Sequence, residues 1–190
     1  MGHSIASVKV FGRRLGTPGT FKVSVQGVDG SQLPDGVELA SGSVNANVWT
    51  TDVGGAWYEI TLDSPYFLTD NVMYALVFTA PDNPGGEPDM IMLRSNNVDA
   101  DYTRGHYCSR AGGGGSWYKD TDKDFYFEEW SATTKFEYYD TGGTTWNGLH
   151  GDAMYAQTFT PQFNFNPPAD IVTYKRLVAA GNNTVWYEDI

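Results

Sequence analysis

The strict alternation in "TFKVSVQ", residues 20–26, constrains this chain more than any other stretch: Phe21, Val23 and Val25 take one side, and Thr20, Lys22, Ser24 and Gln26 the other. A period of two describes a half-buried β-strand, whereas a helix repeats its apolar positions every three or four residues. "GTPG" (16–19) and "GVDGSQLPDG" (27–36) bound the strand with residues that turn a chain. The same texture recurs. "AWYEITL" (56–62) sets Ala56, Tyr58, Ile60 and Leu62 against Trp57, Glu59 and Thr61. "MYALVFTA" (73–80) is apolar on both faces, as a central strand covered above and below would be. "DFYFEEW" (124–130) sets Phe125, Phe127 and Glu129 against Tyr126, Glu128 and Trp130. Adding "SIASVKVF" (4–11), "GVELASGSV" (36–44), "DMIMLRS" (89–95) and "RGHYCSR" (104–110) gives about eight strands by residue 130 with turn signals between them. That spacing predicts an all-β fold, a jelly-roll β-sandwich. The 22 glycines, six Trp, twelve Tyr and ten Phe agree with it, since neither glycine nor aromatics favour long helices.

After Trp130 the texture changes. "SATTKFEYYDTGGTTWNGLHGDAM" has one alternating piece around Phe136 and Tyr138, then a glycine-rich link. Next comes "AQTFTPQFNF" (156–165), then "NPPAD", whose prolines exclude helix and end any strand. "IVTYKRLVAAGNNTVWYEDI" (171–190) reads as two strands across a "GNN" turn. The expected division is a sandwich over 1–130 and an extended tail with strand segments over 131–190.

Twenty-three acids against twelve bases, a net charge of −11, disfavour nucleic acid and anionic membrane surfaces as partners. The single cysteine, Cys108, excludes an intrachain disulfide and has no metal-ligand spacing. No apolar run is long enough to insert in a membrane, and "MGHSIASVKV" lacks the basic start and apolar run of a signal peptide.

The order "RRLGTPGTFKVSVQGVDGSQLPDGVELASGSV", "TTDVGGAWYEITLDSPYFLTDNVMYALVFTAP", "GGSWYKDTDKDFYFEEW" resembles a family of jelly-roll domains, termed choice-of-anchor domains, found in environmental bacterial and phage proteins. The resemblance covers residues 5–130. It implies a fold and no catalytic residues. It also implies a segment like "AQTFTPS" some ten residues before the "SVKV" strand, and the match to that segment stands at 156–161 instead. An open sandwich lacking its first strand exposes a template for an incoming one. In "MYAQTFTPQFNF" the side chains placed for insertion are Tyr155, Phe159, Phe163 and Phe165. The strand either completes a neighbour, making copies of the chain partners, or folds back on its own sandwich, or starts a second, incomplete unit. At roughly 3.3 Å per residue, the chain from Trp130 to Ala156 reaches on the order of 80 Å, enough for closure in cis.

Site chemistry is sparse. His3, His106 and His150 have no metal or triad spacing, and no nucleophile motif is present, so the reading is not an enzyme. Asp120, Asp122 and Asp124 in "DTDKD" stand at alternate positions, and hard oxygen ligands so spaced suit calcium; a turn of solvated aspartates is the alternative. No other cofactor is implied. Trp117, Tyr118, Tyr102, Tyr107 and Trp146 lie in or near turns, where flat rings would serve a glycan. Trp49, Trp57 and Trp130, on strand faces, are expected in packing between sheets. The function expected is a structural or adhesive module of a virion surface (decoration or fibre-type protein) or extracellular assembly, self-associating through the tail. The alternative is a carbohydrate-binding module of a secreted or surface protein.

Overall fold

The computed structural model describes residues 2–82, 88–96, 102, 104–110, 115–131, 135–138, 145–149, 154–161, 175–180 and 184–189. Among them the chain is all-β. Two large antiparallel sheets enclose one core.

The first sheet is organised around β1 (His3–Leu15). One edge of β1 pairs with β4 (Ala56–Leu68). The other edge is shared: Ser7–Val10 pair with β10 (Phe127–Trp130), and Gly12–Leu15 pair with β6 (Met90–Asn96). Between these partners β9 (Asp124–Phe125) follows β6, and Tyr126 makes the crossing, donating its N–H to the Arg94 carbonyl and accepting from Phe11 N–H. β11 (Lys135–Tyr138) extends the sheet beyond β10, and β12 (Thr145–Leu149) beyond β6.

The second sheet runs β3 (Pro34–Asn45), β2 (Thr20–Val28), β5 (Tyr74–Thr79), β13 (Met154–Phe159), β7 (Tyr107–Arg110), β8 (Tyr118–Asp120). Phe21, Val23 and Val25 of β2 face the core, as their alternation predicts, and β5 is buried on both faces. Phe21 packs on Phe78 and on Trp49, whose ring lies flat on Tyr58 at 4.1 Å. All eight strands expected by residue 130 form, the last of them divided into β9 and β10, with β8 in addition; β12 is a further strand in the link after residue 130.

The division expected at residue 131 falls inside the sandwich. β11, β12 and β13 all hydrogen-bond to strands from the first 130 residues. Beyond them, β14 (Lys175–Ala180) and β15 (Thr184–Asp189) pair antiparallel from Lys175↔Asp189 to Ala180↔Thr184, the hairpin that the "GNN" turn predicts. It forms a sheet of its own. Among the described residues no helix is long and apolar enough to cross a membrane.

Candidate functional site

The segment that looked displaced is a central strand. β13 lies between β5 and β7, its Tyr155–Phe159 opposite Phe78–Tyr74 on one side and its Met154–Gln157 opposite Arg110–Tyr107 on the other. Residues 154–159 thus complete the sheet of their own chain. Tyr155 packs on Tyr107 and Phe125, and Phe159, fully buried, on Tyr74 and Phe127. Phe163 and Phe165 lie outside the described residues.

Small and polar residues of the motif explain its fit. Ala156 faces the other way, into a small cluster with Ala75, Val77 and Cys108. Gly105 leaves room for the strand, because a Cβ there would collide with the Thr158 carbonyl. Gln157 points inward and spans the two sheets: its Oε1 accepts from Phe125 N–H at 2.9 Å, and its Nε2 donates to Asp124 Oδ1 at 3.1 Å. Thr158 N–H donates to the His106 carbonyl at 3.0 Å, and Thr158 Oγ1 accepts from His106 N–H at 2.9 Å. The His106 Nε2 sits 3.0 Å from the Gln32 carbonyl, which can only accept, so this nitrogen carries the proton and Nδ1 faces the Thr158 hydroxyl. Burial and then the Lys119 charge hold the His106 pKa below its ordinary value. Sequence reasoning singled out the aromatics of this segment and passed over Gln157 and Thr158. A polar residue, Gln157, between Tyr155 and Phe159 on the inward face of the strand was the available signal.

The residues read as calcium ligands do not converge. Asp120 accepts from Asp122 N–H and lies 3.4 Å from the Lys123 ammonium. Asp124 is fully buried, bonded to Gln157 and to Tyr102 N–H. Among the described residues no three His, Cys, Asp or Glu side chains are grouped as a metal site.

The proposed glycan aromatics are scattered as well. Tyr102 and Tyr107 are core residues, edge-on to Phe127 and tilted on Phe125, and burial raises the Tyr107 pKa far above the phenol range. Neither offers a ring to a ligand. Trp117 packs over the Ala75 cluster with the Arg110 guanidinium 4.9 Å from its ring, and Tyr118 next to it is exposed. Trp146 stands on the other sheet.

There the structure corrects a second expectation. Trp49 is in the core, but Trp57 and Trp130 are on the outer face of the first sheet, aligned with Phe11, Lys9 and Ser7 of β1. Phe11 meets Trp57 edge-on at 5.4 Å and Trp146 in a near-parallel stack at 6.3 Å. Arg13 and Arg94 hold their guanidinium carbons 5.1 and 4.8 Å from the Trp146 ring, and the Lys9 ammonium is 4.3 Å from Trp130. The alternation of β4 already placed Trp57 with Glu59, on the face away from Ile60. Register sets both rings on the outer face, where they are half-buried, and Trp57 still packs against the core.

A cleft of about 380 Å³ on the second sheet is lined by Gln32, Arg104, His106, Lys119, Thr121 and Thr160, among others. Lys119 Nζ donates to Gln32 Oε1, and both His106 nitrogens face partners of the fold. The buried carboxylates are engaged elsewhere: Asp124 in the bridge between sheets, Glu128 with the Trp130 indole, and Glu129 beside His3 at 3.2 Å.

Compared with protein-family models, curated proteins and solved structures, the chain matches none.

Proposed function

We propose that the chain is a non-enzymatic structural and adhesive module of a virion or extracellular assembly, a jelly-roll sandwich of the choice-of-anchor type, self-associating through the segment beyond Pro161. One observation carries the reading: among the described residues the hairpin β14–β15 hydrogen-bonds to neither large sheet. A lone two-stranded hairpin is marginal in water. Among the described residues no further strand pairs with its two outer edges, and such edges are a template for strand addition by a second copy. β13, by contrast, has both edges engaged within its own chain and none to offer. Of the strands the tail supplies, β14 and β15 are therefore the ones assigned to assembly by strand addition. Because β13 is flanked on both sides, a load arriving from the C-terminal direction enters the middle of a sheet rather than a peelable edge.

The test compares the full chain with a chain ended at Pro161, by size-exclusion chromatography with light scattering. The full chain is expected as higher-order species, and the shorter chain as a monomer with an unchanged melting temperature. Monodisperse monomers in both cases would refute self-association through this segment. The Arg13–Trp146–Arg94 layer favours a second reading, carbohydrate binding.

A further inference from the structure

The outer face of the second sheet is covered at one place by a turn. Ala75 and Val77 on β5, Ala156 on β13 and Cys108 on β7 form a buried patch of small side chains across three neighbouring strands. Val28 and Leu33 pack on it from the link between β2 and β3, and Trp117 from the segment before β8. Side chains this small make a shallow trough, so its removal from water depends on what is laid over it. Two register shifts in the β2–β3 pairing, at Val25/Gln26 and Gln26/Val28, stand directly before the turn, where such shifts bend a hairpin.

Residues 29–33 hold their shape by themselves. Asp29 N–H donates to the Leu33 carbonyl, Gln32 N–H donates to the Asp29 carbonyl, and Asp29 Oδ1 accepts from the N–H groups of Ser31 and Leu33. The turn is thus a small rigid unit between Val28 and Pro34, the last pair of the hairpin. Among the described residues two hydrogen bonds fasten it to neighbouring strands, and both end on Gln32: His106 Nε2–H donates to its carbonyl at 3.0 Å, and Lys119 Nζ to its Oε1 at 3.2 Å. Gln32 stands at φ +64, in the left-handed region that residues with a side chain seldom adopt. The cleft of about 380 Å³ runs up to this latch and is lined by both donors.

We infer that residues 29–33 are an acid-released strap, closed over the trough of Ala75, Val77, Cys108 and Ala156 while His106 is neutral and lifted when that imidazole takes up a proton. The neutral ring fits its site, with Nε2–H donating to Gln32 and Nδ1 facing the Thr158 hydroxyl. A proton on Nδ1 would point at an oxygen that already accepts from His106 N–H, and it would set a positive charge beside Lys119. The repulsion falls on the two groups that hold the latch. Of the other charged groups nearby, Arg104 is a cation, Asp120, opposite Tyr107, is paired with Lys123 at 3.4 Å, and Asp29 is engaged in its own turn. β13 presents the neutral Thr158, and among the described residues no carboxylate lines the cleft to offset the charge. Burial and then Lys119 hold the His106 pKa below its ordinary value, so an opened strap with a hydrated imidazole binds the proton more readily and acid shifts the population toward it. The inference goes beyond the assembly reading and does not rest on it.

Cys108, the single cysteine of the chain, reports on the trough. The experiment follows its reaction in the full chain with a pyridyl disulfide, a reagent that traps thiols in acid as well as at neutral pH. Rates at pH 7.5 and pH 5 are each divided by the rate of glutathione under the same conditions, and far-UV circular dichroism is recorded beside them. The relative rate is expected to rise at least about tenfold at pH 5 with the dichroism unchanged. His106→Gln keeps a side-chain N–H for the Gln32 carbonyl and gains no charge in acid, so its rate should not rise. Lys119→Gln removes the repelling partner from an exposed position and should cut the rise at least about threefold; it keeps the test decisive if His106→Gln fails to fold. Equal relative rates at the two pH values overturn the inference. So does a rise that persists in His106→Gln, one that is undiminished in Lys119→Gln, or one that comes with loss of the β-sheet signal, which would be global unfolding.

Discussion

Replacing Gln157 by leucine tests whether the strand from beyond residue 131 is locked into the sandwich by a polar bridge as well as by its aromatics. Leucine has nearly the volume of glutamine, so no large cavity opens. Two bonds between the sheets are lost. Phe125 N–H, buried, loses its acceptor, which costs about 1–3 kcal/mol, and Asp124, fully buried, loses a charge-assisted donor, about 1.5–3 kcal/mol. The expected loss is roughly 3–5 kcal/mol, a large part of the ~5–15 kcal/mol typical of a domain. Urea unfolding followed by tryptophan fluorescence reads it as a lower midpoint with an unchanged slope. Asp124→Asn supplies the second arm of a double-mutant cycle. With the charge already gone, Gln157→Leu should cost at least about 1 kcal/mol less than in the wild type. A single-mutant loss below about 1 kcal/mol, or additivity to within about 0.5 kcal/mol, would refute the bridge.

Three further outcomes follow from the same core. Phe159→Ala removes a fully buried ring between Tyr74 and Phe127 and should destabilise by about 3–5 kcal/mol, again by urea unfolding; a loss under about 1 kcal/mol would place this ring outside the core. Cys108 is buried and its thiol pKa is pushed up to about 12 by that burial, so iodoacetamide at pH 8 should label it only in denaturant; fast labelling of the native chain would contradict its placement. His106 has a folded pKa below its ordinary 6.5, so the unfolded chain binds the proton more readily; its contribution is complete above pH 6.5 and is lost as pH falls through that value toward the folded pKa. Melting temperatures between pH 7.5 and 5 should therefore fall more steeply in the wild type than in His106→Gln, and parallel profiles would remove His106 from that account.

Period-two patterning made the sandwich strands legible because alternation is a local property: each strand needs one face for the core, whatever its neighbour. Phe21, Val23 and Val25 are where "TFKVSVQ" puts them, and the hairpin at 175–189 follows from its turn. Which strand lies beside which is not local. β13 joins β5 and β7 across some eighty and fifty residues of chain, and only that pairing shows that "AQTFTP" closes its own sandwich and that Gln157 meets Asp124. The same holds for the aromatics. Ring size and turn position pointed to Tyr102 and Tyr107 as surface groups and to Trp57 and Trp130 as packing; the sheets buried the two tyrosines and set the two tryptophans, half-buried, on an outer face, with Trp57 still packed against the core. A residue's type states what burial would gain; whether its face is covered depends on what the rest of the chain brings over it. Sequence alone determined that this protein would be built of alternating strands around an aromatic core. The tertiary structure decided which strand completes the sheet and which rings lie half-buried on its outer face.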